Sequence, residues 1–220
     1  MERILKLLAK YYPTFLQGLA GTLWLSVVTV VLGTVLGMLI ALMRMGKLKV
    51  FRGFAIGYIE VLRGTPVLVQ LYFFWIGLPK ILPFEISDTV CILTALIINA
   101  SAYISEIIRA GIGAVDVGQW EAARSIGLSE KHVMSRVILP QAVKNILPAL
   151  CNEFISTIKG TSLASVFFVN ELTTSYKTVS SITYLALQSL IIAAAIYFVL
   201  CFTLSKLLAK LERRLTANDR

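Results

Sequence analysis

The side chains able to do chemistry in this chain sit largely where water should not reach. Glu153 lies nine residues beyond Lys144 in an apolar run. At 1.5 Å per residue that is about 13 Å into a hydrocarbon core about 30 Å thick, close to its midplane. Asn99 falls near the middle of another apolar run, with Tyr103 one turn on and Glu106 a turn further on the same face. Ser156 and Thr157 follow Glu153. Ionisable and amide groups are costly at such depth and seldom face lipid, so they mark candidate sites. Two helices with polar faces at matched depth can line a shared pocket. The chemistry would be binding: a carboxylate meets the ammonium of a small zwitterion, and amide and hydroxyl groups position its carboxylate. A plainer role stays open, because Glu153 and Asn99 can each simply join two helices by a hydrogen bond.

Catalysis finds little support among the residue types. His132 is the only histidine and falls in a polar interval, where it is solvated or part of a docking surface. No His/Glu metal pair or serine–base pair occurs at matched depth, so no catalytic residue, metal or cofactor of the chain's own is expected. Cys91, Cys151 and Cys201 sit singly in apolar runs and read as small buried hydrophobes. Glu106 with Arg109, and Glu60 with Arg63, are three apart, which predicts local ion pairs. Lys159 is expected to snorkel toward the outer surface.

The elements that hold these groups follow from composition and pattern. The 220 residues are 57% hydrophobic and only 15% charged, with mean hydropathy +0.81. That describes an all-α, polytopic membrane protein rather than a soluble core. The net charge of +9 could suggest nucleic acid, but the basic residues cluster beside apolar spans, so membrane orientation explains them and no nucleic-acid partner is expected. Residues 1–13 set Ile4, Leu7, Leu8 and Tyr11 opposite Arg3, Lys6 and Lys10, which predicts an amphipathic surface helix. Five spans follow, near residues 15–42, 53–78, 89–112, 140–161 and 182–208. Gly33 and Gly37 in the first favour close packing within the chain. Arg63-Gly64-Thr65-Pro66 breaks the second into two helical pieces. Residues 162–181, with Asn170, Glu171 and Lys177, read as an external loop or short helix. No cleavable signal peptide is evident. The basic loop at 44–52, the interval at 116–140 and the C-terminal tail hold most of the Lys and Arg. That puts the N-terminus outside and the C-terminus in the cytoplasm, against the vote of Arg3, Lys6 and Lys10.

The polar interval is patterned. Asp116 is placed to cap a helix with Gln119 at its third position. Trp120, Ala123 and Ile126 then fall near one face. Gly127 suits the helix C-terminus, Ser129-Glu130 a second start, and Pro140 the first turn of the next span. The prediction is a short helix-turn-helix at the membrane surface. Helices this short are marginal alone, so a partner should grip it. Ala122, Ala123 and Gly127 permit close backbone approach.

Glu121-Ala122-Ala123, Gly127 and Ile138-Leu139-Pro140 resemble the cytoplasmic coupling loop of ABC importer permeases. The likeness widens with Arg63-Gly64-Thr65-Pro66 and Gln70, then Ala102-Tyr103-Ile104-Ser105-Glu106, Arg109-Ala110-Gly111 and Gln119. It continues through Leu147-Pro148, Asn152-Glu153 and Lys159-Gly160-Thr161-Ser162-Leu163. This ordered set is similar to the polar amino-acid branch of those permeases, over most of the chain from residue 22 onward. Lys159-Gly160-Thr161 departs from the family, which often has an acid or Ser in the middle. The resemblance implies one transmembrane domain over residues 1–220, with the type I ABC importer permease fold of five core helices. It implies ATP-binding cassette ATPase subunits, a second permease subunit (a homodimer is favoured over a heterodimer) and an extracytoplasmic amino-acid-binding protein. The setting is the bacterial inner membrane. The chain is then no enzyme: it has no GxxxxGK[ST] phosphate loop, and ATP is bound and hydrolysed by the partner. The implied substrate-binding set is Gln70, Asn99, Tyr103, Glu153, Ser156 and Thr157. The implied coupling set is Glu121, Ala122, Ala123, Arg124, Gly127, Leu139 and Pro140, with Glu121 anchoring the loop through Arg124 or Arg136. A buried carboxylate leans toward arginine, lysine or histidine as substrate, with glutamine, glutamate and cystine open. An ion-driven carrier using Glu153 and Glu106 as a proton relay is the alternative, but it leaves the patterned loop unexplained.

Overall fold

A computed structural model describes residues 2–217, with side chains to residue 213. Helix α1 runs unbroken over Glu2–Met45, about 66 Å at 1.5 Å per residue. The expected surface helix over residues 1–13 is therefore not a separate element. Its apolar face instead packs inward: Ile4, Leu7 and Tyr11 join Phe15 against Leu172, Val179, Ile192 and Ala193. Protein surface replaces the membrane interface as the partner of that stripe.

The second apolar segment divides as its sequence requires. Helix α2, Lys49–Gly64, and helix α3, Val67–Ile81, meet at an angle of 109°. Pro66, extended at the N-cap of α3, cannot donate a backbone bond back into α2. Helix α4, Asp88–Gly113, starts with Ser87 accepting from the Val90 amide and Asp88 in the first turn, at the positive end of the dipole. The short helices α5, Val117–Ser125, and α6, Glu130–His132, follow. A π-helical turn, Val133–Ile138, leads into α7, Leu139–Gly160. A 3₁₀ segment, Thr161–Phe167, then precedes α8, Leu172–Thr183, and α9, Ala186–Ala217.

Length and hydropathy alone mark α1, α4 and α9 as long and apolar enough to cross a membrane, and the bent α2–α3 pair as a broken span. The remaining expected span, the fourth in chain order, is α7. Its 22 residues are long enough at 1.5 Å each, but Lys144, Asn145, Asn152, Glu153 and Lys159 lower its hydropathy. Helix α1 lies along α4 at close range. A Cβ at Gly37 would stand 2.9 Å from the Ser101 carbonyl oxygen, and one at Gly33 would stand 3.2 Å from the Ala100 Cβ. The two glycines serve contact within the chain, as their spacing suggests.

Candidate functional site

The pocket is a partly open cleft of about 250 Å³ lined by α1, α4 and α7, with Val67 of α3 and Leu163 of the 3₁₀ segment. Asn99, Tyr103, Glu153, Ser156 and Thr157 all line it, together with Thr29, Val67, Leu96, Ala100, Gly160 and Leu163. Glu153 is the one charged group among them. Two helices do bring their polar faces together, as the spacing of Asn99, Tyr103 and Glu153 predicts. Thr29 is the polar wall residue that sequence reasoning passes over, because a threonine in an apolar helix carries no signal of its own.

Gln70 takes a different place. It is buried, and its Nε2 donates to the Leu62 carbonyl at 2.7 Å and to Thr65 Oγ1 at 2.8 Å, across the break between α2 and α3. Its Oε1 accepts from Asn99 Nδ2 at 2.9 Å. Gln70 is absent from the pocket's lining and acts as the tie that holds the bend. These bonds also orient Asn99. The Leu62 carbonyl can only accept, so Gln70 must turn its oxygen to Asn99, and Asn99 must answer with its N–H. The Asn99 carbonyl oxygen and its second N–H are what remain for the pocket. Asn99 can therefore accept from an ammonium or donate its second N–H to a carboxylate, as an amide in that place predicts, while Glu153 accepts.

Below the pocket on the same face of α4 lies an ion cluster. Glu106 pairs with Arg109 at 3.0 Å, as its i, i+3 spacing predicts, and also with Arg44 of α1 and, at 3.8 Å, with Arg63. The expected Glu60–Arg63 pair gives way to this one, because helical spacing only permits a pair and a half-buried carboxylate on a neighbouring helix competes better. Arg63 also stacks over Tyr103, 5.3 Å from the ring centre. A carboxylate held by three guanidiniums is a poor proton relay, which removes the footing of the ion-driven alternative.

The loop between α4 and α7 folds by local rules. Asp116 Oδ1 accepts from the Gly118 amide at 2.7 Å and caps α5. At the other end Gly127 takes φ +82°, the Gly127 amide reaches the Arg124 carbonyl, and the Leu128 amide reaches Ala123. This is the paired closure that a left-handed glycine permits. Ser129 starts α6, and Pro140 stands in the first turn of α7. Two expectations fail here. Ile126 is 78% exposed rather than on the packed face. Arg124 pairs with Glu130 at 2.9 Å rather than with Glu121, and stacks on Trp120. The loop is also gripped by its own chain: Val115, Ala123, Val133 and Ile138 are buried with Ile108, Ala142 and Ile146 at the bundle's end. Glu121, Ala122, Gly127, Leu139 and Pro140 stay exposed on the far side.

Glu171 is a further charged residue that sequence reasoning leaves in an external loop. It is fully buried and caps α8, accepting from the Thr173 and Thr174 amides at 2.7 and 2.5 Å and from Tyr197 Oη of α9 at 2.8 Å. The next amide, Leu172, donates to Thr22 of α1. The carboxylate ties α8 to α9, the Leu172 amide ties α8 to α1, and Glu171 is not part of the pocket's lining.

Among the described residues no group of His, Cys, Asp or Glu is arranged to hold a metal ion. Comparison with known proteins identifies the family. Residues 33–217 match the model described as the binding-protein-dependent transport system inner membrane component. The chain is 40% identical over 207 residues to the arginine transport system permease protein ArtQ of Bacillus subtilis (strain 168), covering 94% of each chain. It is 37% identical over 218 residues to a putative glutamine transport system permease protein GlnP of Rickettsia typhi (strain ATCC VR-144 / Wilmington), covering 98% of this chain and all of that one. Among solved structures, an amino acid ABC transporter with histidines matches with TM-score 0.91 at 48% identity, over 94% of this chain and 96% of that one. The MetNI methionine ABC transporter in an inward-facing form matches with TM-score 0.67 at 16% identity, over 90% of this chain and 95% of that one, which is a likeness of fold. The chain belongs to the inner-membrane components of binding-protein-dependent transport systems, and within them it is an amino-acid ABC permease, a transport subunit with the type I importer fold rather than an enzyme.

Proposed function

We propose that this permease carries a basic or polar L-amino acid inward, arginine, lysine or histidine first and glutamine, glutamate or cystine second. The observation that carries the reading is Glu153, the lone charge in a pocket that otherwise offers one amide and neutral hydroxyls. A cationic side chain or an α-ammonium is what such a wall stabilises. One relative is named for arginine and another for glutamine, so the pocket's chemistry, not kinship, orders the candidates.

The mechanism is alternating access. The partner ATPase binds and hydrolyses ATP and docks on the exposed side of α5 and α6, around Glu121, Ala122 and Gly127, with Leu139 and Pro140 at the root of α7. Its closure moves this loop as a lever, and the helices rock about the pocket. The rigid seat of the loop on Val115, Ala123, Val133 and Ile138 suits it to transmit force. A second copy of the chain completes the pathway. Asn152, Ser156 and Lys159 are exposed along α7, and lipid is a poor neighbour for such a stripe. The N-terminus lies outside and the C-terminus in the cytoplasm, by the distribution of Lys and Arg.

The test is uptake of a panel of amino acids by the complex with its ATPase and binding protein in proteoliposomes, with Glu153→Gln beside wild type. Basic amino acids should drive the fastest uptake, and Glu153→Gln should cut it at least about tenfold, as loss of a charge-assisted bond does. Equal response to arginine and glutamine in both proteins would remove the preference.

A further inference from the structure

The wall that α1 contributes to the pocket carries an unsatisfied hydroxyl. Thr29 lines the cavity, is 1% exposed, and its Oγ1 has no hydrogen-bond partner. Buried hydroxyls are normally bonded, and an orphan calls for an explanation. Its neighbours are satisfied. Ser26 donates to the Thr22 carbonyl, Thr22 accepts from the Leu172 amide, and Ser101 and Ser105 donate to Ile98 and Ala102. Thr29 does not use the carbonyl four residues back, the bond that Ser26 makes. Ser189 of α9 is the other such hydroxyl among the described residues.

The pocket's other groups say what Thr29 is for. Asn99 gives one N–H to Gln70, which leaves its oxygen and a second N–H, and Glu153 shows two more oxygens. These oxygens hold the ammonium of an amino acid, or its cationic side chain, and the charge of Glu153 repels its carboxylate. The carboxylate needs donors, and beside the hydroxyls of Tyr103, Ser156 and Thr157 the one that is fully buried and has no partner is that of Thr29. We infer that Thr29 is a substrate-contacting residue whose hydroxyl donates to the carboxylate of the bound amino acid. Helix α1 thereby joins α4 and α7 in building the site, and the buried orphan is satisfied only when substrate is present. This assignment rests on the pocket reading above.

The test is equilibrium binding to the purified permease–ATPase complex. The probes are L-arginine or L-glutamine, whichever the wild type takes, and the decarboxylated form of each, agmatine or 4-aminobutanamide. Thr29→Val keeps the shape and removes the hydroxyl; Thr29→Ser keeps the hydroxyl. Thr29→Val should bind the amino acid about tenfold more weakly, the loss of one hydrogen bond to a charged group. Thr29→Ser should bind it close to wild type. The decarboxylated probe should bind Thr29→Val and wild type alike. Without ligand, Thr29→Val should melt no earlier than wild type, since a hydroxyl without a partner adds nothing to the fold. Unchanged affinity in Thr29→Val overturns the assignment. So does an equal loss for both probes accompanied by earlier melting, which would mark a structural threonine. If Glu153→Gln binds the amino acid as wild type does, the pocket reading falls first and Thr29 falls with it, a result separate from a silent Thr29→Val beside a disabled Glu153→Gln.

Discussion

At the scale of single residues, the division of labour between Gln70 and Asn99 decides how the pocket works. Both were candidates for substrate contact, since an amide at bilayer depth is a candidate whatever it touches. Only the contacts tell them apart. Gln70 is consumed by the break, holding Leu62 and Thr65 with one end and Asn99 with the other. Gln70→Leu leaves the Leu62 carbonyl and the Asn99 amide unpaired, and should lower the stability of the complex by about 1–3 kcal/mol for each group stranded. Thermal unfolding measures it, and a melting point unchanged from wild type would show that the tie is dispensable. Glu171 shows the limit of sequence in another way. Its neighbours read as a polar loop, and only the non-local approach of Tyr197 and the cap of α8 turn it into a buried junction. Glu106 is similar: its partner three residues away was legible, while Arg44 and Arg63 arrive from other helices.

At the scale of elements, local chemistry made the loop between α4 and α7 legible. Asp116, Gly127 and Pro140 each act on the backbone within a turn of themselves, so their consequences can be read from order alone. The break at Arg63-Gly64-Thr65-Pro66 was legible for the same reason. What the pattern could not supply was the partner of an apolar stripe. Residues 2–13 show such a stripe, and α8 and α9 take the place a membrane surface could have filled. Gly127 offers the sharpest test here. Its φ of +82° is strained for any side chain branched at Cβ. Gly127→Val should cost the loop about 1–2 kcal/mol and weaken ATPase assembly, with Gly127→Asn milder. Co-purification of the ATPase with each variant reads the effect, and full assembly by Gly127→Val would deny the loop a shaped role.

At the scale of the whole molecule, the distribution of Lys and Arg predicts a cytoplasmic C-terminus. A single cysteine near Glu212, in a background without Cys91, Cys151 and Cys201, should resist an impermeant thiol reagent added outside intact cells and react once the membrane is opened. Labelling from outside would invert the topology. The most direct measurement of the central claim is hydrogen exchange on the permease with and without its ATPase. If the loop is the lever, bound ATPase slows exchange across Val117–Ser125 and Glu130–His132 and leaves Leu172–Thr183 unchanged. Slowed exchange elsewhere, with that stretch exchanging as fast as in the free permease, would mean the motor grips another surface and the loop couples nothing.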